Sequence, residues 1–184
     1  MASVLVPLAE GFEELEAISI TDLLTRAQVD VVTAGLKDGP VRASRNICVV
    51  PETTIDQIGD RLFDMVVLPG GQPGSNNLAA DKRILDILRR HYDAGKFIAA
   101  ICAAPKVLAS AGLLDGKTAT SYPGSLEGIN IENFNYSHDP IVSDGNVITS
   151  RGPGTAMDFA LHLVELLMGE QTRHNVESHL QRPV

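Results

Sequence analysis

The chemistry in this chain gathers where an apolar run stops at a cysteine: Phe97-Ile98-Ala99-Ala100-Ile101-Cys102-Ala103-Ala104-Pro105. The run has strand character, and a helix pattern follows from Pro105 to about Ala111. Proline suits the first helical turn, where its missing N–H satisfies no bond anyway. Cys102 is therefore expected on a tight strand-to-helix turn, a nucleophile elbow, at the positive end of a helix. That end favours the thiolate, so a lowered thiol pKa is expected. The competing reading is a buried, inert cysteine, the usual fate of a lone one in an apolar run. The small residues after it favour the elbow.

Two other stretches can bring groups to that turn. Glu13 to Ala27 reads as a helix, with Glu13 and Glu14 in a first turn that acids complement. Glu16 shares its face with Ile20, Leu23, Leu24 and Ala27, the stripe that should meet a sheet. Buried there, its charged form is disfavoured, its pKa rises and it holds a proton near neutrality. At the sheet's rim it would instead be an ordinary carboxylate, solvated or beside an arginine. Asp64-Met65-Val66-Val67-Leu68-Pro69-Gly70-Gly71 reads as a strand and turn. Its glycines either aim backbone N–H groups at a crevice beyond the strand end or simply make a tight turn. The phosphate-loop pattern is absent.

A thiolate, backbone donors and a protonated carboxyl form a nucleophilic site that attacks a carbonyl. The same groups would hold a sulfinate if the cysteine oxidised. A Cys–His hydrolase needs an imidazole base instead. His91 and His162 fall in helical patterns, His138 in a polar loop, and His174 and His179 in the terminal segment. All read as surface or packing residues. No Cys/His cluster has metal-ligand spacing, so no metal is expected. Cys48, in Ile47-Cys48-Val49-Val50-Pro51, reads as an inert strand residue.

The frame follows from periodicity. Strands are expected at Val4–Leu8, Val29–Gly35, Ile47–Pro51 and Thr118–Ser121, besides those ending at Gly70 and Cys102. Helices are expected around Ile55–Ile58, over Lys82–Ala94, from about Thr155 as N-cap to Met168, and from Gln171 to about His179. Ile141–Ser143 and Asn146–Ser150 flank Asp144-Gly145, a hairpin signal. This alternation predicts a flavodoxin-like three-layer α/β sandwich, with a mainly parallel central sheet and a small late β-hairpin. At 184 residues a single domain, 1–184, is expected. The net charge of −8 disfavours nucleic acid. No apolar run is long enough to span a bilayer, no basic leader precedes the first strand, and two cysteines make no disulfide framework. A cytoplasmic protein is expected.

The blocks Glu10-Gly11-Phe12-Glu13-Glu14-Leu15-Glu16, Val67-Leu68-Pro69-Gly70-Gly71, Ala99-Ala100-Ile101-Cys102-Ala103-Ala104-Pro105 and Thr149-Ser150-Arg151-Gly152-Pro153-Gly154-Thr155 occur in this order. In them the chain resembles the ThiJ/PfpI superfamily, specifically its Parkinson-disease-protein branch (DJ-one, with the bacterial YajL proteins as relatives). The resemblance implies a homodimer with neither metal nor organic cofactor. It implies that Cys102 is the reactive, oxidisable thiol and Glu16 its protonated partner, with Gly71 and Ala103 N–H groups forming an oxyanion-type hole. It implies a pocket that includes Gly70 and Tyr122, made positive by Arg45 and by Arg26 reaching across the dimer. The implied activity is of the protein deglycase or glyoxalase III type, on methylglyoxal, glyoxal or glycated amines and thiols, in carbonyl and oxidative stress defence. The alternative it implies is a redox-sensing, chaperone-like protein signalling through a Cys102 sulfinate.

Two positions depart from the family's pattern. Tyr122 stands where several relatives carry histidine, and Ala103 stands where the protease-like branch does. Peptidase activity is therefore not expected, and acid–base work falls to Glu16. The Tyr122 hydroxyl is a hydrogen-bond donor rather than a base.

Overall fold

A computed structural model describes residues 1–182 and organises the chain around a seven-stranded sheet. In chain order the elements are β1 (Ser3–Leu8), α1 (Glu14–Arg26), β2 (Asp30–Gly35), β3 (Val41–Arg42), β4 (Cys48–Val49), β5 (Thr53–Thr54) and α2 (Ile55–Ile58). Then come β6 (Met65–Leu68), α3 (Gly74–Ala80), α4 (Lys82–Asp93), β7 (Phe97–Ile101), α5 (Pro105–Ser110), β8 (Thr118–Ala119) and β9 (Asn135–Tyr136). The hairpin β10 (Ile141–Asp144) and β11 (Val147–Ser150) leads through a short 3-10 turn to α6 (Ala156–Met168) and α7 (Glu170–His179).

The sheet order is β10-β11-β7-β6-β1-β2-β5, parallel except for the β10–β11 pair. Strand periodicity splits the core into two layers. Val4, Val6, Met65, Val67, Ala99 and Ile101 face α1 and α6, where they meet Ile20, Leu24 and Phe159. Leu5, Val66, Leu68, Ile98 and Ala100 face the other way, against Ile84 and Leu88 of α4 and Val107 and Leu108 of α5. The central strands are buried on both faces, which is why they read as continuous apolar runs. From β1 the chain winds outward through β2 to β5, then returns to β6 on β1's other side. The carboxyl ends of β1 and β6 thus border the crevice where the winding reverses, the usual ligand position in such sheets.

Several local expectations are corrected. The segment expected as a strand at Ile47–Pro51 pairs only over Cys48–Val49, with Val41–Arg42, in a ribbon outside the main sheet. Cys48 is exposed there, not packed in a strand interior. The sheet edge is instead the two-residue β5. Strand Thr118–Ser121 shortens to β8 and pairs with β9 in a second ribbon. Helix α3 was not expected, because Gly-Ser-Asn-Asn is a poor helical start. Thr155 stands at the N-cap of α6 without capping it. Its hydroxyl donates 2.9 Å to the Gly152 carbonyl and lies 2.7 Å from Ser150 Oγ, closing the preceding turn instead.

Candidate active site

Three strand ends build the site. β7 stops at Ile101, and Cys102 takes a φ of +63°, the left-handed region that side chains other than glycine rarely occupy. The turn holds this conformation by hydrogen bonds on both sides. The Cys102 N–H donates to Ser150 O at 2.9 Å, and its carbonyl accepts from Tyr122 N–H at 2.8 Å. A strained nucleophile on a strand-to-helix turn is the expected elbow geometry.

Glu16, in the first turn of α1, is fully buried against that elbow. The Gly70 N–H donates to its Oε2 at 2.7 Å. Its Oε1 is buried without a hydrogen-bond partner of regular geometry, and the Cys102 thiol is its other polar neighbour. Gly70 must be glycine for this approach. A methyl group there would sit 2.6 Å from Cys102 Cβ and 2.8 Å from Glu16 Oε2. Gly70 was expected to line the substrate pocket; its buried N–H serves Glu16 instead.

Burial pushes the Glu16 carboxyl up to about 7, with the Glu13 charge adding to it, against the opposing hydrogen bond from Gly70. This is the raised carboxyl expected from the helix face. The lowered thiol is not found. Burial first, then the charge and hydrogen bonding of Glu16, push the Cys102 thiol up to about 12, while Gly71 and Ala103 N–H groups facing the sulfur pull it down. The six-residue α5 does not outweigh that burial. Thiol and carboxyl act as a pair. Once Glu16 is protonated its charge no longer opposes a thiolate, and only burial stands against the two N–H donors.

The arginines are placed differently from Cys102 and Glu16. Arg45 is exposed on the β3–β4 turn, and its guanidinium makes no ion pair among the described residues. That turn is tied to α1 through Glu14, which accepts 2.8 Å from the Arg45 N–H and 3.0 Å from Ser44 Oγ. Burial raises the Glu14 carboxyl, but these bonds outweigh it and leave the pKa lowered. Arg26 lies at the opposite end of α1, ~15 Å from Glu16 at 1.5 Å per residue. There it pairs with Asp22 at 2.7 Å, so this chain does not itself bring Arg26 to Cys102.

Tyr122 does reach the site. A methyl group on Gly152 would lie 3.3 Å from its ring and 3.9 Å from Cys102 Sγ. Glu14 is the contributor that sequence reasoning read otherwise, as a dipole complement, and Gly152 stood out only as a member of a matching block. The histidines stay away from the elbow's hydrogen-bond network. His91 is fully buried, its Nε2 accepting from Phe63 N–H at 3.0 Å and its Nδ1 lying 2.7 Å from Ile87 O. Among the described residues no group of three metal-ligating side chains converges, and no helix is long and apolar enough to cross a membrane.

Fold and site together define a flavodoxin-like α/β protein carrying an elbow cysteine paired with a buried glutamate. The chain belongs to the DJ-1/PfpI family, whose model matches residues 2–166. It is 46% identical over 180 residues to Protein dj-1beta of Drosophila melanogaster, covering 97% of this chain and 96% of that one. The crystal structure of the Drosophila DJ-1beta superposes with a TM-score of 0.94 at 45% identity, covering 100% of this chain and 99% of that one. The chain is also 34% identical over 175 residues to the glutathione-independent glyoxalase DJR-1.2 of Caenorhabditis elegans, covering 95% and 92% respectively.

Proposed function

We propose that this protein is a cysteine-dependent, cofactor-free enzyme of the glyoxalase III or deglycase type, acting on methylglyoxal, glyoxal or their adducts in carbonyl stress defence. The observation that carries this reading is the buried Glu16 carboxyl, raised to about 7 against an elbow thiol. A group with that pKa takes and returns protons at neutrality, as acid–base catalysis requires. The similarity to the C. elegans glyoxalase supports the reaction class.

With methylglyoxal, Cys102 Sγ bonds to the aldehyde carbon as its proton passes to Glu16, and Glu16 returns that proton to the aldehyde oxygen. The product is a hemithioacetal. Glu16 then removes the hydrogen of the former aldehyde carbon, the hydroxyl proton on that carbon passes to the ketone oxygen, and a proton is delivered to the adjacent carbon. The aldehyde carbon is oxidised and the ketone carbon reduced, giving a lactoyl thioester without an external oxidant. Water cleaves the S–C bond, releasing lactate and restoring the thiol. The Gly71 and Ala103 N–H groups stabilise charge on the attacking sulfur and the developing oxyanion. Tyr122 supplies a hydroxyl donor. Cys102→Ser and Glu16→Ala should each abolish lactate formation while circular dichroism stays unchanged. Full turnover by Cys102→Ser overturns the proposal.

A second reading is a redox-sensing, chaperone-like protein. The unpartnered Oε1 of Glu16 favours it, because a carboxyl O–H there would bond a sulfinate oxygen. Mild peroxide should then add oxygens at Cys102 in the wild type but fewer in Glu16→Leu, as read by intact mass. We also propose a homodimer in the cytoplasm. Leu15 and Ile18 on α1 and Ile47 and Val50 around β4 are exposed apolar residues on adjoining elements, suited to a second copy of the chain. Arg26 would complete the partner's pocket. Both cysteines are free, as a reducing compartment requires.

A further inference from the structure

The surface beside the elbow is not featureless. Tyr122, Pro123, Arg151 and Gly152 are among the residues that line a cavity of about 410 Å³. Its Gly152 wall is the one adjoining Cys102 Sγ. A second cavity of about 550 Å³ shares Pro123 and Arg151 with it and continues to Leu126, Phe134, Tyr136 and His138. Both fall in the ~300–1,000 Å³ range of small-molecule sites. Together they make a groove leading away from the thiol.

The far half of the groove is aromatic. Phe134 and Tyr136 meet edge to face with centroids 6.5 Å apart, and Tyr136 and His138 do so at 5.2 Å. Tyr136 is anchored by its hydroxyl, which donates to Ser121 O at 3.1 Å. Aromatic edges and faces at such angles recognise a further ring. Arg151 stands where the cavities join. It makes no ion pair among the described residues, and its Nη1 donates a long 3.4 Å bond to His138 O, which leaves the face of its planar guanidinium open to stack on a ring. Glu127 lines the far half too, so the charges offset one another and favour an uncharged aryl group over an anionic one.

We propose that this groove is an aryl subsite, receiving the aromatic group of a 2-oxoaldehyde or adduct whose carbonyl carbon Cys102 attacks. The substrate assignment rests on the enzyme reading above; the subsite itself rests on the groove. Tyr136 and Phe134 then set specificity, and aryl-bearing carbonyls are preferred to methylglyoxal.

Alkylation tests the subsite without requiring turnover. In a Cys48→Ser background, Cys102 is reacted with iodoacetamide and with 2-iodo-N-phenylacetamide, and intact mass is followed over time. In both reactions the sulfur displaces iodide, forming one S–C bond, breaking one C–I bond and losing the thiol proton. The ratio of the two rates, divided by that for glutathione, should be roughly tenfold in favour of the phenyl reagent. Tyr136→Ala and Phe134→Ala should bring the ratio toward that of glutathione, and Tyr136→Phe should keep it. Should the alanine variants fail to fold, acetanilide added to the Cys48→Ser protein serves instead, and should slow alkylation by the phenyl reagent. A ratio equal to that of glutathione, or no protection by acetanilide, overturns the subsite. Lactate formation from methylglyoxal is followed in parallel. Its absence overturns the enzyme reading, while the alkylation ratio decides the subsite on its own.

Discussion

Glu16→Gln should make the protein more stable, and only where the carboxyl would be charged. The amide keeps an oxygen to accept the Gly70 N–H and removes the ionisation. In the unfolded chain Glu16 titrates near 4.5, and in the fold at about 7. Between those values the native state holds the proton that the unfolded state has released, so stability falls as pH rises through the window. Above about 7 the whole penalty stands. The difference between 4.5 and about 7 corresponds to ~3 kcal/mol at about 1.36 kcal/mol per pH unit. Urea unfolding of wild type and Glu16→Gln at pH 5, 6, 7 and 8 reads the gap directly. It should be small at pH 5 and grow in favour of the glutamine variant by on the order of 3 kcal/mol at pH 8. A gap that does not change with pH refutes the reasoning, because it means Glu16 ionises as freely in the fold as outside it.

Three other outcomes follow from the same geometry. Gly70→Ala should cost ~1–3 kcal/mol by overpacking, since its methyl would sit 2.6 Å from Cys102 Cβ and 2.8 Å from Ile101 O. Thermal unfolding gives the cost, and Cys102 alkylation should slow in the same variant. Cys102→Gly should be at least as stable as Cys102→Ala, by up to about 1 kcal/mol, because a φ of +63° strains alanine and not glycine; the reverse order in urea contradicts an elbow. His91→Leu leaves the Phe63 N–H without its acceptor and should cost ~1–3 kcal/mol at pH 8. Burial holds His91 below its ordinary 6.5, so its contribution is full above 6.5 and is lost as pH falls from there through the folded value. The gap between wild type and His91→Leu should therefore narrow below pH 6.5.

The elements carrying the chemistry were legible because their signals are local. The apolar run into Cys102 and the proline after it specify the elbow, and the stripe shared by Glu16, Ile20 and Leu24 turns the Glu16 carboxyl toward the sheet. What stayed hidden depends on distant partners. Gly70 looked like pocket lining, because nothing near it in the chain shows that Glu16 would accept its N–H. The thiol's direction was misread from the helix end alone, since burial and the Glu16 charge come from other segments. Thr155 has the right residue type for an N-cap, yet Gly152 and Ser150 claim its hydroxyl. Arg26 illustrates another boundary: its place in a pocket depends on a second chain.

The pairing of Cys102 with Glu16 is tested most directly by the pH dependence of Cys102 reactivity, with and without the carboxyl. Iodoacetamide alkylation is measured from pH 5 to 10 in Cys48→Ser and in Cys48→Ser/Glu16→Gln. Because burial and the Glu16 charge both hold the thiol up, reactivity in the first sets in above the ordinary thiol value of about 8.5, and its onset moves downward in the second. An onset below about 8.5, or one that the glutamine leaves unchanged, contradicts the pairing.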